Sequence, residues 1–225
     1  ATLMQRGIHI WGPADGDMAC GEIGTGRFVE PEDLTTMADA FFAPKPLAGK
    51  TALVTSGPTH EPIDPVRVMA NRSSGQQGQA IASALAAAGA RVTLVSGPVN
   101  LPPPPGVMAV QVQTADEMLA AAQDALPADI AVFAAAVADW KPKQAATEKL
   151  KKTADEDELN MSFVKNPDIL ATLANGKKRP KLVIGFAAET ANARENGEKK
   201  LKAKNLDIIV INDVSMPGAG FETET

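Results

Sequence analysis

A doubly wound, mainly parallel α/β sheet of Rossmann type is the fold class this sequence predicts. Two observations carry it. From residue 51 onward, short apolar β-type runs take turns with helical stretches of 10 to 15 residues, and the runs are apolar throughout rather than alternating, as in strands buried on both faces. Aromatic residues make up only 4% of the chain and Tyr is absent, so the core has to come from Ala, Val, Ile and Leu.

The expected elements follow in chain order. Residues 1–43 stand apart, with glycine-rich loops around Trp11 and Cys20 and a helical stretch from Pro31 to Phe42; residues 44–49, with two prolines and a terminal Gly, read as a linker. The third region, 50–225, holds the sheet. Strands are expected at Thr51–Thr55, Arg91–Ser96, Val107–Val112, Ile130–Val137, Leu159–Val164, Leu182–Phe186 and Ile208–Ile211. Helices are expected at Gln77–Ala88, Ala115–Leu126, Pro167–Ala174 and Ala191–Lys204. In such a sheet, ligands sit beyond the carboxyl ends of the strands.

Length and composition bound the function. A chain of 225 residues can hold one sizeable α/β domain with a smaller appendage. At 44% hydrophobic and 22% charged it reads as globular, and it has no apolar run near the ~20 residues of a membrane helix. A net charge of -5 and a pI near 5.1 argue against nucleic acid as a partner, so an anionic ligand has to be met by a local basic cluster. The single cysteine, Cys20, excludes a disulfide framework and fits a reducing compartment, so a cytoplasmic location is expected. The first residues lack the long apolar region of a signal peptide. Without an initiating Met, and ending just after a glycine-rich turn, the chain is expected to be a piece of a longer protein.

Five places carry candidate chemistry. The first expected strand leads through a loop to Asn71-Arg-Ser-Ser-Gly75 at the start of the Ala-rich helix, where free N–H groups and the helix dipole favour an anion; a plain turn with Ser73 or Ser74 as helix cap is the alternative. The spacing is not that of a dinucleotide fingerprint. Ala134, Ala135 and Ala136, followed by Asp139, leave room for a flat ring, or simply let a helix pack closely. The basic loop from Lys141 to Lys152 is either a solvated charge run or a cover for a triphosphate. In Lys165-Asn-Pro-Asp-Ile-Leu170 the proline suits a first helical turn, and Asp168 either holds Mg²⁺ or complements the dipole. Lys200 and Lys204 share a helix face, and Phe186 either faces a base or belongs to the core.

The order of these motifs is more specific than any one of them. Ser56-Gly-Pro-Thr-x-Glu-Pro-x-Asp-Pro-Val-Arg67, Asn71-Arg-Ser-Ser-Gly75, Ala135-Ala-Val-Ala-Asp-Trp140, Lys149-Leu-Lys-Lys152, Val164-Lys-Asn-Pro-Asp-Ile169 and Gly185-Phe-Ala-Ala-Glu-Thr190 together resemble the phosphopantothenoylcysteine synthetase family across residues 50–221. The first region, through Ala19-Cys-Gly-Glu22 and Gly24-Thr-Gly-Arg-Phe28, resembles the tail of the flavin-dependent phosphopantothenoylcysteine decarboxylase fused in front of the synthetase in many bacteria.

That resemblance implies a ligase joining 4'-phosphopantothenate to L-cysteine at the expense of CTP, through an acyl-cytidylate, with Mg²⁺ on the phosphates and Asp139 and Asp168 as its candidate supports. It implies CTP contacts at Ala134, Ala135, Ala136, Asp139, Lys149, Pro167, Asp168, Ile169, Leu170, Phe186, Lys200 and Lys204. Ser73, Ser74 and Gly75 are added as phosphate contacts on the physical argument above. Asn71 matches the residue that engages the acyl-cytidylate, and Arg67 lies in the matched substrate motif. Cys20 takes the place of the decarboxylase proton donor, and decarboxylation is expected only where the FMN-binding body with its catalytic His is joined to this chain. A homodimer through the synthetase and a larger assembly through the decarboxylase are implied as well. Two other functions compete: an NAD(P)-dependent oxidoreductase on the same sheet, and a non-catalytic module that assembles or regulates other subunits.

Overall fold

The computed structural model describes residues 2–17, 23–151, 158–189 and 192–213. The chain forms two compact units, Ala1–Lys45 and Pro46–Thr225.

The first unit contains helix α1 (Thr2–Gln5), an antiparallel ribbon of β1 (Ala14–Asp17) and β2 (Ile23–Arg27), and helix α2 (Pro31–Phe42). Pro31 opens α2, where a missing N–H costs nothing, and Glu32 and Asp33 face the positive end of its dipole. Phe41 makes edge contacts with His9 at 4.6 Å and Trp11 at 5.8 Å between ring centroids. Among its described residues none is buried.

The second unit runs β3 (Thr51–Ser56), β4 (His60–Pro62), β5 (Val68–Ala70), α3 (Gln76–Ala87), β6 (Arg91–Ser96), β7 (Met108–Gln111), α4 (Ala115–Asp124), β8 (Ile130–Phe133), β9 (Trp140–Pro142), β10 (Phe163–Lys165), α5 (Ile169–Ala174), β11 (Leu182–Glu189), α6 (Ala193–Ala203) and β12 (Ile208–Asp213). Six strands form one parallel sheet in the order β12-β11-β8-β3-β6-β7. From β3 the chain winds outward through β6 and β7, returns to the other side of β3 as β8, and continues through β11 and β12. The fold is the Rossmann-like, doubly wound sheet expected from the sequence, and its direction of winding reverses between β3 and β8.

Alternate residues of each strand feed opposite faces. Leu53, Val95 and Phe133 pack with Met118 and Ala122 of α4 and Leu173 of α5; Ala52, Val54, Leu94 and Val132 pack with Ala82, Ile81 and Leu85 of α3. Full burial of a Leu such as Leu53 or Leu94 contributes about 1.5–3 kcal/mol. Helix α4 starts where it does because Thr114 and Glu117 form a reciprocal cap, and the buried Glu61 carboxylate accepts the Ala115 N–H at 3.0 Å.

Three expectations are corrected. The strand expected at Ile130–Val137 stops at Phe133. Its continuation runs beside the loop after β3, with Ala134 N–H donating to Thr55 O at 3.1 Å and Ala136 N–H to Gly57 O at 2.9 Å. The strand expected at Leu159–Val164 is the three-residue β10, which pairs antiparallel with β9 outside the main sheet. The helix expected from Pro167 begins at Ile169, because the Asp168 side chain accepts the Ala171 N–H and takes the cap position, leaving Pro167 before it.

Candidate functional site

A cleft of about 1620 Å³ opens beyond the carboxyl ends of β3 and β8, where the strand order reverses. Sites for one small ligand usually measure roughly 300–1,000 Å³, so this one has room for two reactants together.

One wall is the start of α3. Gly75 occupies its N-cap position with φ +77°, a conformation glycine adopts without strain, and it has no side chain of its own to cap the helix. Ser73 Oγ accepts the Gly75 N–H and Ser74 Oγ accepts the Gln76 N–H, each at 3.4 Å, so both serines sit at the helix start. The positive end of α3 therefore opens into the cleft. Ser56 Oγ fixes it there by donating to Gly75 O at 2.9 Å.

The floor is main chain. Beside the Ala134–Ala136 pairing, Ala138 N–H donates to Thr59 Oγ1 at 3.0 Å. Two asparagines hold the carbonyls that follow. Asn71 Nδ2 donates to Val137 O at 3.0 Å; Asn166 Nδ2 donates to Ala138 O at 2.8 Å and its N–H to Asp139 O at 2.9 Å. Asn166 Oδ1 is buried without a partner, the only such side-chain atom among the described residues.

The remaining wall brings Pro167, Asp168, Ile169 and Leu170 to Phe186, Lys200 and Lys204. Arg72 and Lys165 also line the cleft, so four cationic side chains stand there against two acidic ones, Asp139 and Asp168. A chain of net charge -5 thus concentrates positive charge at this place. Asp168 is occupied on both oxygens, Oδ1 by the Ala171 N–H at 3.0 Å and Oδ2 by Lys204 Nζ at 2.9 Å. Among the described residues no group of three or more His, Cys, Asp or Glu could hold a metal. The two carboxylates that line the cleft, with both Asp168 oxygens already engaged, could hold Mg²⁺ only together with triphosphate oxygens and water.

The cleft therefore collects Asn71, Ser73, Ser74, Gly75, Ala134, Ala135, Ala136, Asp139, Pro167, Asp168, Ile169, Leu170, Phe186, Lys200 and Lys204. Arg67 and Lys149 are outside its lining. Arg67 pairs with the buried Asp64, and Lys149 is exposed on the loop after β9. The Arg67 guanidinium, ahead of the opposing effect of burial, holds the Asp64 carboxyl far below the usual carboxylate range. Cys20 lies outside the described residues, as does Lys152. Sequence reasoning missed Arg72, Lys165 and Asn166. All three sit inside motifs already singled out, which was the available signal.

Residues 47–225 match the family of the DNA/pantothenate metabolism flavoprotein C-terminal domain. The chain belongs to that family. It is 44% identical to the C-terminal domain of a coenzyme A biosynthesis bifunctional protein CoaBC, with a TM-score of 0.66 over 76% of this chain and 80% of that crystal structure. It is also 49% identical over 224 residues to the coenzyme A biosynthesis bifunctional protein CoaBC of Vibrio parahaemolyticus, covering 99% of this chain and 56% of that protein. The chain thus spans a little over half the length of the curated relatives it matches. A Cab2 mutant in complex with phosphopantothenate-cysteine shares the fold, at 18% identity and a TM-score of 0.59 over 81% of this chain and 76% of that one. These relationships confirm the resemblance read from the motif order and lend no support to the oxidoreductase alternative. Among the described residues no helix is long and apolar enough to cross a membrane.

Proposed function

We propose that this chain is the ligase part of a coenzyme A biosynthesis enzyme, forming 4'-phosphopantothenoyl-L-cysteine from 4'-phosphopantothenate, L-cysteine and CTP. The observation that carries this reading is the cleft itself: one helix start, four cations and a main-chain floor meet at the reversal point of the sheet.

In the first half-reaction the substrate carboxylate attacks the α-phosphorus of CTP and pyrophosphate leaves. In the second, the cysteine amine attacks the acyl carbon, CMP leaves, and the nitrogen gives up a proton to form the amide. A carboxylate is already nucleophilic at neutral pH, so the first step needs alignment and charge neutralisation more than a base. The α3 terminus with Ser73, Ser74 and Gly75, together with Lys200, Lys204 and Arg72, supplies that neutralisation. Ala134–Ala136, Asp139, Phe186 and Pro167–Leu170 take the nucleoside. Asn71, one bond from Val137 O, meets the acyl-cytidylate. Lys149 reaches the phosphates from its loop, and Arg67 contacts substrate. Mg²⁺ enters on the triphosphate rather than in a site of its own.

The first unit is the tail of the decarboxylase half, with Cys20 as its proton donor, and FMN serves only that half. The protein acts in the cytoplasm as a homodimer through the ligase domain, and as a larger homo-oligomer when joined to the decarboxylase. Pyrophosphate release from 4'-phosphopantothenate, compared with CTP and with ATP and then with cysteine added, tests the reading. Release with CTP and amide formation on adding cysteine are expected. No release with either nucleotide would overturn it.

A further inference from the structure

We propose that Asp64 positions the Lys149 loop by clasping Leu150 between its own carboxylate and the Arg67 guanidinium. Asp64 is 2% exposed and its carboxylate receives five hydrogen bonds. Oδ1 accepts from the N–H groups of Val66 and Arg67, both at 2.8 Å. Oδ2 accepts from Arg67 Nε at 2.9 Å, Arg67 Nη2 at 2.6 Å and the Leu150 N–H at 3.1 Å. Arg67 Nη2 also donates to Leu150 O at 2.8 Å. The two ends of one ion pair thus take both main-chain polar groups of a residue 86 positions along the chain.

A buried carboxylate is tolerated only where donors surround it. The turn between β4 and β5 needs only the local N–H groups of Val66 and Arg67; the bonds to Leu150 do nothing for that turn and fix a distant loop instead. Two further bonds stitch the same loop, Ala146 N–H to Ile63 O and Lys143 N–H to Ser162 O, each at 2.9 Å. Lys149 stands next to the clasped residue, so the clasp decides where its side chain leaves the surface. The Arg67 side chain remains 45% exposed, so clasping Leu150 leaves it able to meet a ligand as well.

The clasp rests on the ligase reading only for what Lys149 does, so its test has one arm independent of turnover. Limited trypsin digestion of the chain, followed by mass spectrometry, compares the wild type with Asp64→Asn and Arg67→Gln. Cleavage after Lys149 and Lys151 is expected to rise about tenfold in both variants, with the digest elsewhere unchanged except for the site after residue 67 that Arg67→Gln removes. Unchanged cleavage at these lysines overturns the clasp. If Asp64→Asn does not fold, Arg67→Gln decides alone. In the second arm, kcat of Asp64→Asn should fall in parallel with that of Lys149→Gln, whereas faster cleavage with normal kcat overturns the positioning role. Should Lys149→Gln turn over normally, the assignment of Lys149 fails while the digest still judges the clasp.

Discussion

Asn71 and Asn166 hold consecutive carbonyls of one loop, Asn71 Nδ2 on Val137 O at 3.0 Å and Asn166 Nδ2 on Ala138 O at 2.8 Å. Replacing the Asn71 amide by a carboxylate sets an oxygen against the Val137 carbonyl and a negative charge toward any phosphate nearby. Asn71→Asp should therefore stall the reaction after activation, with the acyl-cytidylate accumulating in mass spectra of the quenched mixture. Unchanged turnover with no trapped intermediate would count against this role.

Lys149 is exposed, so its removal should leave stability alone; on the proposed reading it also takes a charge away from the phosphates. Lys149→Gln should lower kcat by about 10²-fold or more and move the melting temperature by less than about 1 °C. A calorimetric scan beside the pyrophosphate assay separates the two effects.

Gly78 lies against the end of β3, and a Cβ there would sit 2.4 Å from Ser56 Oγ and 3.1 Å from Ser56 Cα. Ser56 is fully buried and cannot retreat. Gly78→Ala should cost about 1–3 kcal/mol in urea unfolding by overpacking, despite the better helix propensity of alanine.

Asp168 both caps α5 and pairs with Lys204, and the two roles separate by substitution. The pair is partly exposed, at 47% and 36%, so its loss should change stability by no more than about 1 kcal/mol. Asp168→Asn keeps a cap acceptor and should be nearly as stable as the wild type. Asp168→Ala should lose about 1 kcal/mol more, measured by denaturant titration.

The Asp64 carboxyl is held below its ordinary value of about 3.9 first by Arg67, and then by the N–H groups of Val66, Leu150 and Arg67. A lowered folded value means that the clasp contributes its stability in full above that ordinary value and loses it only as pH falls through the folded one. In a carbon-detected NMR titration Asp64 should stay ionised after exposed carboxylates have protonated. An ordinary midpoint would contradict the hydrogen bonding described.

The main sheet was legible because its strands are continuous apolar runs, and Arg91–Ser96 coincides with β6 to the residue. Strands β4, β5 and β9 were not, since three-residue strands such as His60–Pro62 and Trp140–Pro142 carry no period and contain prolines, and β10 was read only as part of a longer strand. Most of the cleft could be read from the order of motifs. What escaped depends on pairing across the chain: nothing local in Asp64 or Arg67 announces Leu150, and nothing in Ser73 or Ser74 says that Gly75 takes the cap.

Strand β8 enters the sheet between β3 and β11, and its outgoing segment completes the floor begun by Thr55 and Gly57. The two halves of that floor are separated by the whole of α3, β6, β7 and α4, so no early portion of the chain can recognise a ligand. Occupancy is therefore a report on finished assembly. A saturating ligand of this cleft would raise the unfolding free energy by RT ln(1 + [L]/Kd), about 2.7 kcal/mol at a hundredfold excess over Kd, and would do so only for molecules in which the central strand has docked.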